Sequence, residues 1–130
     1  MPDYVIKHLD DAPDVMGDYP GEMKMMTYEL GAEKVAFSWR RMPQHTGGKG
    51  SYGHRHKEAE EVYFVVEGKL QFKLEDEVVD VDAGNAVLVP AHVVRSVWND
   101  EPEDAIVIIV SNRVQDPQAD VDTVPDFWPG

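Results

Sequence analysis

Two histidines and a carboxylate stand close together near the middle of the chain. His54 and His56 are two positions apart, and Glu61 follows them at the head of a run rich in valine and aromatic residues. Side chains two apart in an extended strand point to the same face, so both imidazoles project into one space. The carboxylate of Glu61, across a short turn, could close the third corner of a facial site. This spacing predicts binding of a divalent metal.

Glycines frame this group of residues. Residues 48–68 read GKGSYGHRHKEAEEVYFVVEG. The segment resembles the first motif of the cupin superfamily: glycine, five residues, His-x-His, three or four residues, Glu, six residues, glycine. Every defined position matches. Glu60 also fits the shorter gap, but only Glu61 keeps the six-residue run to Gly68.

A second segment, residues 84–99, resembles the second cupin motif less closely. That motif is glycine, five residues, Pro-x-Gly, two residues, His, three residues, Asn, and Gly84, Pro90 and Asn99 fall in register. His92 stands where glycine is usual, and Arg95 stands where the last metal histidine is usual. Arginine stays protonated and is not a metal ligand. The resemblance implies a small single-domain cupin, an all-β double-stranded β-helix, with a reduced or absent metal site.

Arg95 has three interpretations. In the preferred one, it faces the barrel interior and binds an anionic group of a substrate through a two-pronged hydrogen bond. In the second, it pairs with Glu61 and replaces the metal. In the third, the strand is shifted and Arg95 is a solvated edge residue. His92, beside Pro90, is expected in an exposed turn, and its alternative role is that of a displaced fourth ligand.

The metal itself has several candidates. Imidazole and carboxylate suit iron, manganese, nickel, zinc or copper, and spacing does not choose among them. Three protein ligands leave coordination positions open to water, oxygen or a substrate, as a catalytic metal needs.

By strand alternation the barrel would also be lined by Tyr63, Phe72 and Val97, for which packing is the commoner role. Trp39 and Trp98 could wall a pocket or fill a dimer interface, whereas His8 and His45 are expected at the surface.

Composition narrows the class of protein. The 130 residues suit one domain, residues 1–130, with a single core. The chain contains no cysteine, which excludes disulfides, thiolate metal sites and cysteine nucleophiles. The net charge of −13 argues against nucleic acid and anionic membranes as partners. The sequence shows neither a signal-peptide pattern nor a transmembrane span, so a cytoplasmic location is expected.

Short strand signals separated by turn residues predict an all-β sandwich or barrel. The run from Pro43 to Gly53 is too glycine-rich to hold a strand and is predicted to be a mobile loop leading to the histidine pair. The acidic, Pro-containing tail, residues 114–130, carries Phe127 and Trp128 and is expected to dock on the barrel. The predicted strands are Tyr4 to Leu9, Met23 to Leu30, Val35 to Met42, Glu61 to Glu67, Lys69 to Leu74, Val78 to Val81, Ala86 to Val89, Arg95 to Asn99 and Ala105 to Ser111.

One strand is more apolar than a barrel wall requires. If Glu61, Tyr63 and Val65 face inward, then Val62, Phe64 and Val66 face outward, where polar residues are usual. We expect this outer face to be covered, either by the amino-terminal strands or by a second copy of the chain. Small cupins commonly dimerise through such a surface, and a homodimer is therefore expected.

The resemblance admits more than one function, because the cupin barrel hosts oxygenases, isomerases, decarboxylases, storage proteins and sugar sensors. The preferred hypothesis is a metal-dependent enzyme, of the oxygenase or isomerase type, acting on a small anionic or oxygen-rich metabolite. The alternative is a non-catalytic module that binds a small molecule such as a sugar, favoured by the missing histidine. A cupin that only oligomerises is disfavoured, because the first motif is complete.

Overall fold

The computed structural model describes residues 3–130 and consists mostly of β-strands. The all-β prediction is confirmed. The strands are β1 (Glu22–Met25), β2 (Val35–Met42), β3 (Thr46–Gly47), β4 (Ser51–His56), β5 (Glu61–Glu67), β6 (Lys69–Leu74), β7 (Glu77–Asp82), β8 (Ala86–Val89), β9 (Arg95–Asn99), β10 (Ala105–Asn112) and β11 (Val121–Trp128). The helices are a 3₁₀ turn (Leu9–Asp11), α1 (Met26–Leu30) and α2 (Pro117–Asp120).

These strands form two antiparallel sheets. The first has the strand order β1-β2-β10-β5-β8, and the second has the order β11-β4-β9-β6-β7, with β3 paired to β9. The chain passes from one sheet to the other at each step from β4 to β6 and again from β7 to β11. Long-range pairing of this kind places residues distant in sequence at one end of the barrel.

The core lies between the two sheets, and alternate residues of each strand contribute to it. On β5, Tyr63 and Val65 are buried, whereas Val62, Phe64 and Val66 are exposed, as the alternation predicts. The other buried members of the core are Met42, Leu70, Phe72, Val81, Val89, Ala105 and Val107.

One of the predicted strands is wrong, and another is correct only in its first part. Residues Tyr4 to His8 form no strand; His8 instead caps the 3₁₀ turn, since its ring accepts a hydrogen bond from the Asp10 amide at 3.0 Å. The predicted strand from Met23 to Leu30 ends at Met25, and α1 follows it. That helix stops at Gly31, whose φ of 69° is a left-handed conformation that glycine adopts without steric cost. Neither change was visible in the β-propensity of the segments.

The predicted loop between Pro43 and Gly53 is also more ordered than its composition suggested. It contains β3 and the first residues of β4. Gly53 lies where β4 passes under the tail, and a side chain there would collide with the Phe127 ring and the Arg95 carbonyl oxygen. The role of this glycine is therefore to let β11 approach β4 closely, and not to make the segment flexible.

The tail runs along the outside of the histidine strand. β11 pairs with β4, so that Val121 lies opposite His56 and Thr123 opposite His54. Trp128 is buried, and the Lys73 ammonium lies 3.9 Å from the centre of the Phe127 ring.

None of the helices in residues 3–130 has the length and apolar character needed to cross a bilayer.

Candidate metal site and binding cavity

Three side chains meet at one end of the barrel. His54 and His56 project from β4 and Glu61 from the start of β5, and their ligand atoms all lie within 4.8 Å of one another. Glu61 Oε1 is 3.9 Å from His54 Nε2 and 3.4 Å from His56 Nε2. The two imidazole rings stand nearly perpendicular, with centres 5.1 Å apart. This group could hold a metal ion, as the spacing of the three residues predicts.

The second nitrogen of His56 is held by the tail. His56 Nδ1 lies 2.9 Å from Asp120 Oδ2, and because an ionised carboxylate only accepts hydrogen bonds, Nδ1 carries a proton. In neutral His56 the Nε2 lone pair therefore points toward the cavity and Glu61. Nε2 is buried and meets no hydrogen-bond partner within residues 3–130. A buried Nε2 without a hydrogen-bond partner is suited to bind a metal. In metal-binding histidines the other ring nitrogen typically donates a hydrogen bond to a carboxylate, as Nδ1 of His56 does here.

Asp120 is itself fixed by backbone amides. Its Oδ1 accepts a hydrogen bond from the Glu58 amide at 2.7 Å, and its Oδ2 accepts one from the Ala59 amide at 3.3 Å. Burial raises the pKa of Asp120, but the hydrogen bonds from Glu58, His56 and Ala59 outweigh it, so the pKa is lowered. The carboxylate is therefore ionised and rigid, and it orients the imidazole of His56.

Glu61 is also held as an anion. Burial raises the pKa of this carboxyl group, yet contacts with His54, His56 and Tyr63 bring the pKa well below its ordinary value. The Tyr63 hydroxyl donates to Oε1 at 2.8 Å. In return, the Glu61 carboxylate raises the pKa of His56, against the opposing effect of burial. An anionic Glu61 is the form that a metal would require.

Arg95 lies next to Glu61 and is fully buried, with 0% of its surface exposed. Its Nε is 3.7 Å from Glu61 Oε1, and its Nη2 donates to the carbonyl oxygens of Val89 and Pro90 at 3.3 and 3.0 Å. Nε and Nη1 have no hydrogen-bond partner within residues 3–130. This placement excludes the interpretation of Arg95 as a solvated edge residue. It places Arg95 beside Glu61, as the interpretation in which these two residues pair requires.

A cavity of about 610 Å³ opens beside the three candidate ligands. Tyr63 and Val97 belong to its wall, as strand alternation predicts, and so does Arg95, as the preferred interpretation of that residue requires. Phe72, by contrast, is fully buried and packs edge-on against Tyr63 at 5.3 Å, and it does not line the cavity. His92 lies in an exposed turn and does not join His54, His56 and Glu61.

Two residues at the site were missed by the sequence reasoning. Asp120 gave no signal, because it lies 64 positions from His56 in an acidic tail. Arg40 lines the cavity from β2, and the alternation of Ser38, Arg40 and Met42 in a predicted strand could have placed it inside. Trp39 and Trp98, which were expected to wall a pocket or fill a dimer interface, do not line the cavity: Trp98 stacks on His45 at 6.0 Å, and Trp39 is half-buried on β2.

Solved structures with the same fold share little sequence with this chain. A cupin-superfamily sugar phosphate isomerase from Silicibacter pomeroyi has 17% identity and a TM-score of 0.74, with 94% of this chain and 93% of that one covered. A polyketide cyclase from Streptomyces resistomycificus has 16% identity and a TM-score of 0.74, with coverages of 92% and 84%. A protein from Acidithiobacillus ferrooxidans has 19% identity and a TM-score of 0.64 over 82% of this chain, which spans only 64% of that protein.

Comparison by sequence identifies a family but no individual relative. No curated protein matches the chain significantly in sequence. The family model of the cupin domain matches residues 41–111. This range contains both motif segments, residues 48–68 and 84–99. The two sheets and the neighbouring double-stranded β-helix structures agree with this match. The chain therefore belongs to the cupin domain family.

Proposed function

We propose that this cupin binds a divalent transition metal through His54, His56 and Glu61 and acts on a small anionic or oxygen-rich metabolite in the adjoining cavity, as an enzyme of the oxygenase or isomerase type. The observation that carries the proposal is the convergence of these ligand atoms within 4.8 Å beside a cavity of about 610 Å³. The buried, unsatisfied Nε2 of His56 supports it. The sugar phosphate isomerase and polyketide cyclase among the structural neighbours are consistent with it at the level of the fold only.

The chain's own residues prepare the site. Asp120 keeps the Nδ1 proton on His56, so that Nε2 is free to act as a ligand. The Tyr63 hydroxyl donates to Glu61 Oε1 at 2.8 Å and lowers the pKa of that carboxyl group, and Arg95 Nε lies 3.7 Å from the same oxygen. A bound divalent metal would supply Lewis acidity or a binding position for oxygen. The ligands of the proposal are two imidazoles and one carboxylate, a set typical of iron, manganese, nickel, zinc or copper.

Element analysis of the purified protein, followed by titration with each of these metals, tests the proposal. We expect about one metal per chain in the wild type and loss of binding in His54→Ala, with the melting temperature little changed because His54 is only half-buried. His92→Ala is the matched control, since His92 is exposed in a turn outside the site. Equal metal content in the wild type and His54→Ala would contradict the assignment.

A second candidate function is a non-catalytic cavity that binds a small, sugar-like molecule with a reduced or absent metal site. It is favoured by the contacts of Glu61, whose charge is already balanced by Arg95 at 3.7 Å and by the Tyr63 hydroxyl at 2.8 Å. A metal-free protein that retains a bound small molecule after purification would select this candidate. A metal-loaded protein that converts a sugar phosphate or consumes oxygen would select the enzyme.

We also propose that the apolar outer face of β5 is covered by a second copy of the chain. Val62, Phe64 and Val66 remain 36%, 40% and 40% exposed, and Leu88 on the neighbouring edge strand is 58% exposed. Within residues 3–130 this face is therefore not fully covered, and Tyr4 to Ile6 near the amino terminus are themselves exposed. An apolar patch of this kind on a sheet next to an open edge is typical of a protein interface.

A further inference from the structure

Strand β2 carries two adjacent arginines on opposite faces of its sheet. Arg41 faces outward, where its Nε lies 3.1 Å from Glu22 and its Nη1 lies 3.0 Å from Asp104. Arg40 alternates with the buried residues Ser38 and Met42 and lines the cavity with them. The outer arginine is thus doubly paired, whereas the inner one belongs to the wall of the proposed binding site.

Arg40 has no balancing charge. Within residues 3–130 no carboxylate lies within 4.0 Å of its guanidinium, and its side chain makes no hydrogen bond. Glu61 is the one carboxylate among the described residues that line the cavity, and it is already engaged by His56, Tyr63 and Arg95. Arg40 is half-buried, and a guanidinium partly withdrawn from water without a counter-charge is unfavourable, so it marks a place where an anion would be stabilised.

The electrostatic environment of Arg40 agrees with this interpretation. Burial lowers the pKa of Arg40, and the groups that act in the opposite direction are the phenols of Tyr19, Tyr63 and Tyr52. The guanidinium nevertheless stays charged, because arginine does not lose its proton at any working pH. The net charge of the protein is −13, so its overall field repels anions, whereas the unpaired guanidinium of Arg40 offers an anion a local partner in the cavity.

The wall around Arg40 is apolar and adaptable. Met23 and Met25 point inward from β1, and Met16 from the preceding segment and Met42 from β2 complete a group of four methionines in the cavity wall. Val107 and Ile109 of β10 lie in the same wall. Unbranched thioether side chains rearrange easily around apolar ligands of irregular shape. A ligand in this cavity would therefore contact apolar side chains over much of its surface.

We propose that Arg40 anchors the anionic group of the ligand, and that the ligand is a small organic anion, with a carboxylate or phosphate group on an apolar body that packs against the methionines. This inference deepens the proposed function, on whose cavity it rests, but it does not require the metal. The planar guanidinium offers two parallel N–H donors that match two oxygens of either group. Tyr19 stands at the same cavity, with its hydroxyl bound to the Gly47 amide at 2.9 Å.

Calorimetric titration of the metal-free protein with hexanoate, hexyl phosphate, acetate and 1-hexanol tests the inference. We expect saturable binding of hexanoate or hexyl phosphate, with the tighter of the two identifying the anionic group. Acetate lacks the apolar body and 1-hexanol lacks the charge, so both should bind more weakly. Loss of a charged hydrogen-bond partner should weaken binding of the preferred probe in Arg40→Gln by about 10- to 100-fold.

Arg41→Gln is the matched control, because it removes the same charge from the next residue on the outer face. It should bind the probe within about two-fold of the wild type, since its partners lie outside the cavity. Arg40→Lys keeps the charge but not the two-pronged geometry, and it should give an intermediate affinity. If Arg40→Gln does not fold, Arg40→Lys and the shift of the Arg40 Nε–H resonance during titration of the wild type give the same answer.

Equal affinity in the wild type and the Arg40 variants, or no saturable binding of either anionic probe, would overturn the inference. Equal weakening in Arg40→Gln and Arg41→Gln would do so as well, because it would indicate a general effect of net charge. These outcomes are separable from failure of the proposed metal site, which is measured with metal alone on His54→Ala. Anion binding without metal binding would leave Arg40 as the anchor and remove the metal-dependent activity.

Discussion

His56 Nδ1 and Asp120 Oδ2 lie 2.9 Å apart although 64 positions separate the two residues in the chain. The contact joins the carboxy-terminal segment to a candidate metal ligand. The same carboxylate accepts hydrogen bonds from the Glu58 and Ala59 amides in the turn between β4 and β5. One buried side chain thus fixes both the orientation of His56 and the turn that leads to Glu61, and Asp120 is a positioning residue for the site.

Replacing Asp120 by asparagine should weaken metal binding by about 10- to 100-fold, because a neutral amide no longer selects the Nδ1-protonated imidazole. The measurement is metal titration, together with the ¹⁵N chemical shifts of the His56 ring, which report its tautomer. Asp122→Asn is the control, since Asp122 pairs at 3.7 Å with Arg55 and Lys57 outside the site. An unchanged tautomer and affinity in Asp120→Asn would remove Asp120 from the site.

The metal-free protein should be most stable in mildly acidic solution. The pKa of His56 is raised above its ordinary value of 6.5, mainly by Glu61. This contribution to the free energy of unfolding is complete below pH 6.5 and is lost as the pH rises through the folded pKa of His56. The pKa values of Glu61 and Asp120 are lowered, so their contributions are complete above their ordinary values of 4.5 and 3.8 and are lost as the pH falls.

Urea unfolding across this pH range, in the wild type and in His56→Gln, measures the effect. The decline in stability on the alkaline side should disappear in the variant, whereas the acid-side decline should be reduced but still present. Parallel curves for the two proteins from pH 5 to 9 would show that His56 does not carry the effect.

Arg95→His should restore the usual fourth metal ligand of the family. Arg95 lies directly opposite His54 in the pairing of β9 with β4, so an imidazole at this position would start beside the site. We expect tighter metal binding and, in the metal-free form, a loss of about 3 kcal/mol in the free energy of unfolding, because a buried partner of Glu61 is removed. Metal titration and urea unfolding measure the two effects. Unchanged metal affinity would show that residue 95 cannot reach the metal.

Phe64→Glu should dissociate the proposed dimer. Burying an exposed apolar side chain contributes about 1.5 to 3 kcal/mol, and a carboxylate in the same place would oppose association. Sedimentation velocity of the wild type and the variant measures the change, with Val78→Glu as the control, since Val78 is 50% exposed on β7 of the other sheet. A wild type that sediments as a monomer would mean that no second copy covers the outer face of β5.

Much of the fold could be predicted because its information is local. The strands from Val35 to Met42 and from Glu61 onward have alternating or β-rich patterns bounded by turn residues, and the structure places strands at each of them. The errors fall where composition competes with tertiary contacts. The segment around Gly53 looks too flexible for a strand, but β11 packs against it and requires the glycine.

The sequence by itself determined which side chains of β4 and β5 share a face, since period-two alternation is a property of any extended chain. It therefore predicted that His54, His56 and Glu61 would approach one another. Only the tertiary structure decided what surrounds them. Asp120, Arg95 and Arg40 come from a tail helix and two other strands, and no local pattern specifies which distant strands pair or how deep an arginine lies. Those contacts arise from sheet topology and burial, which depend on the whole chain at once.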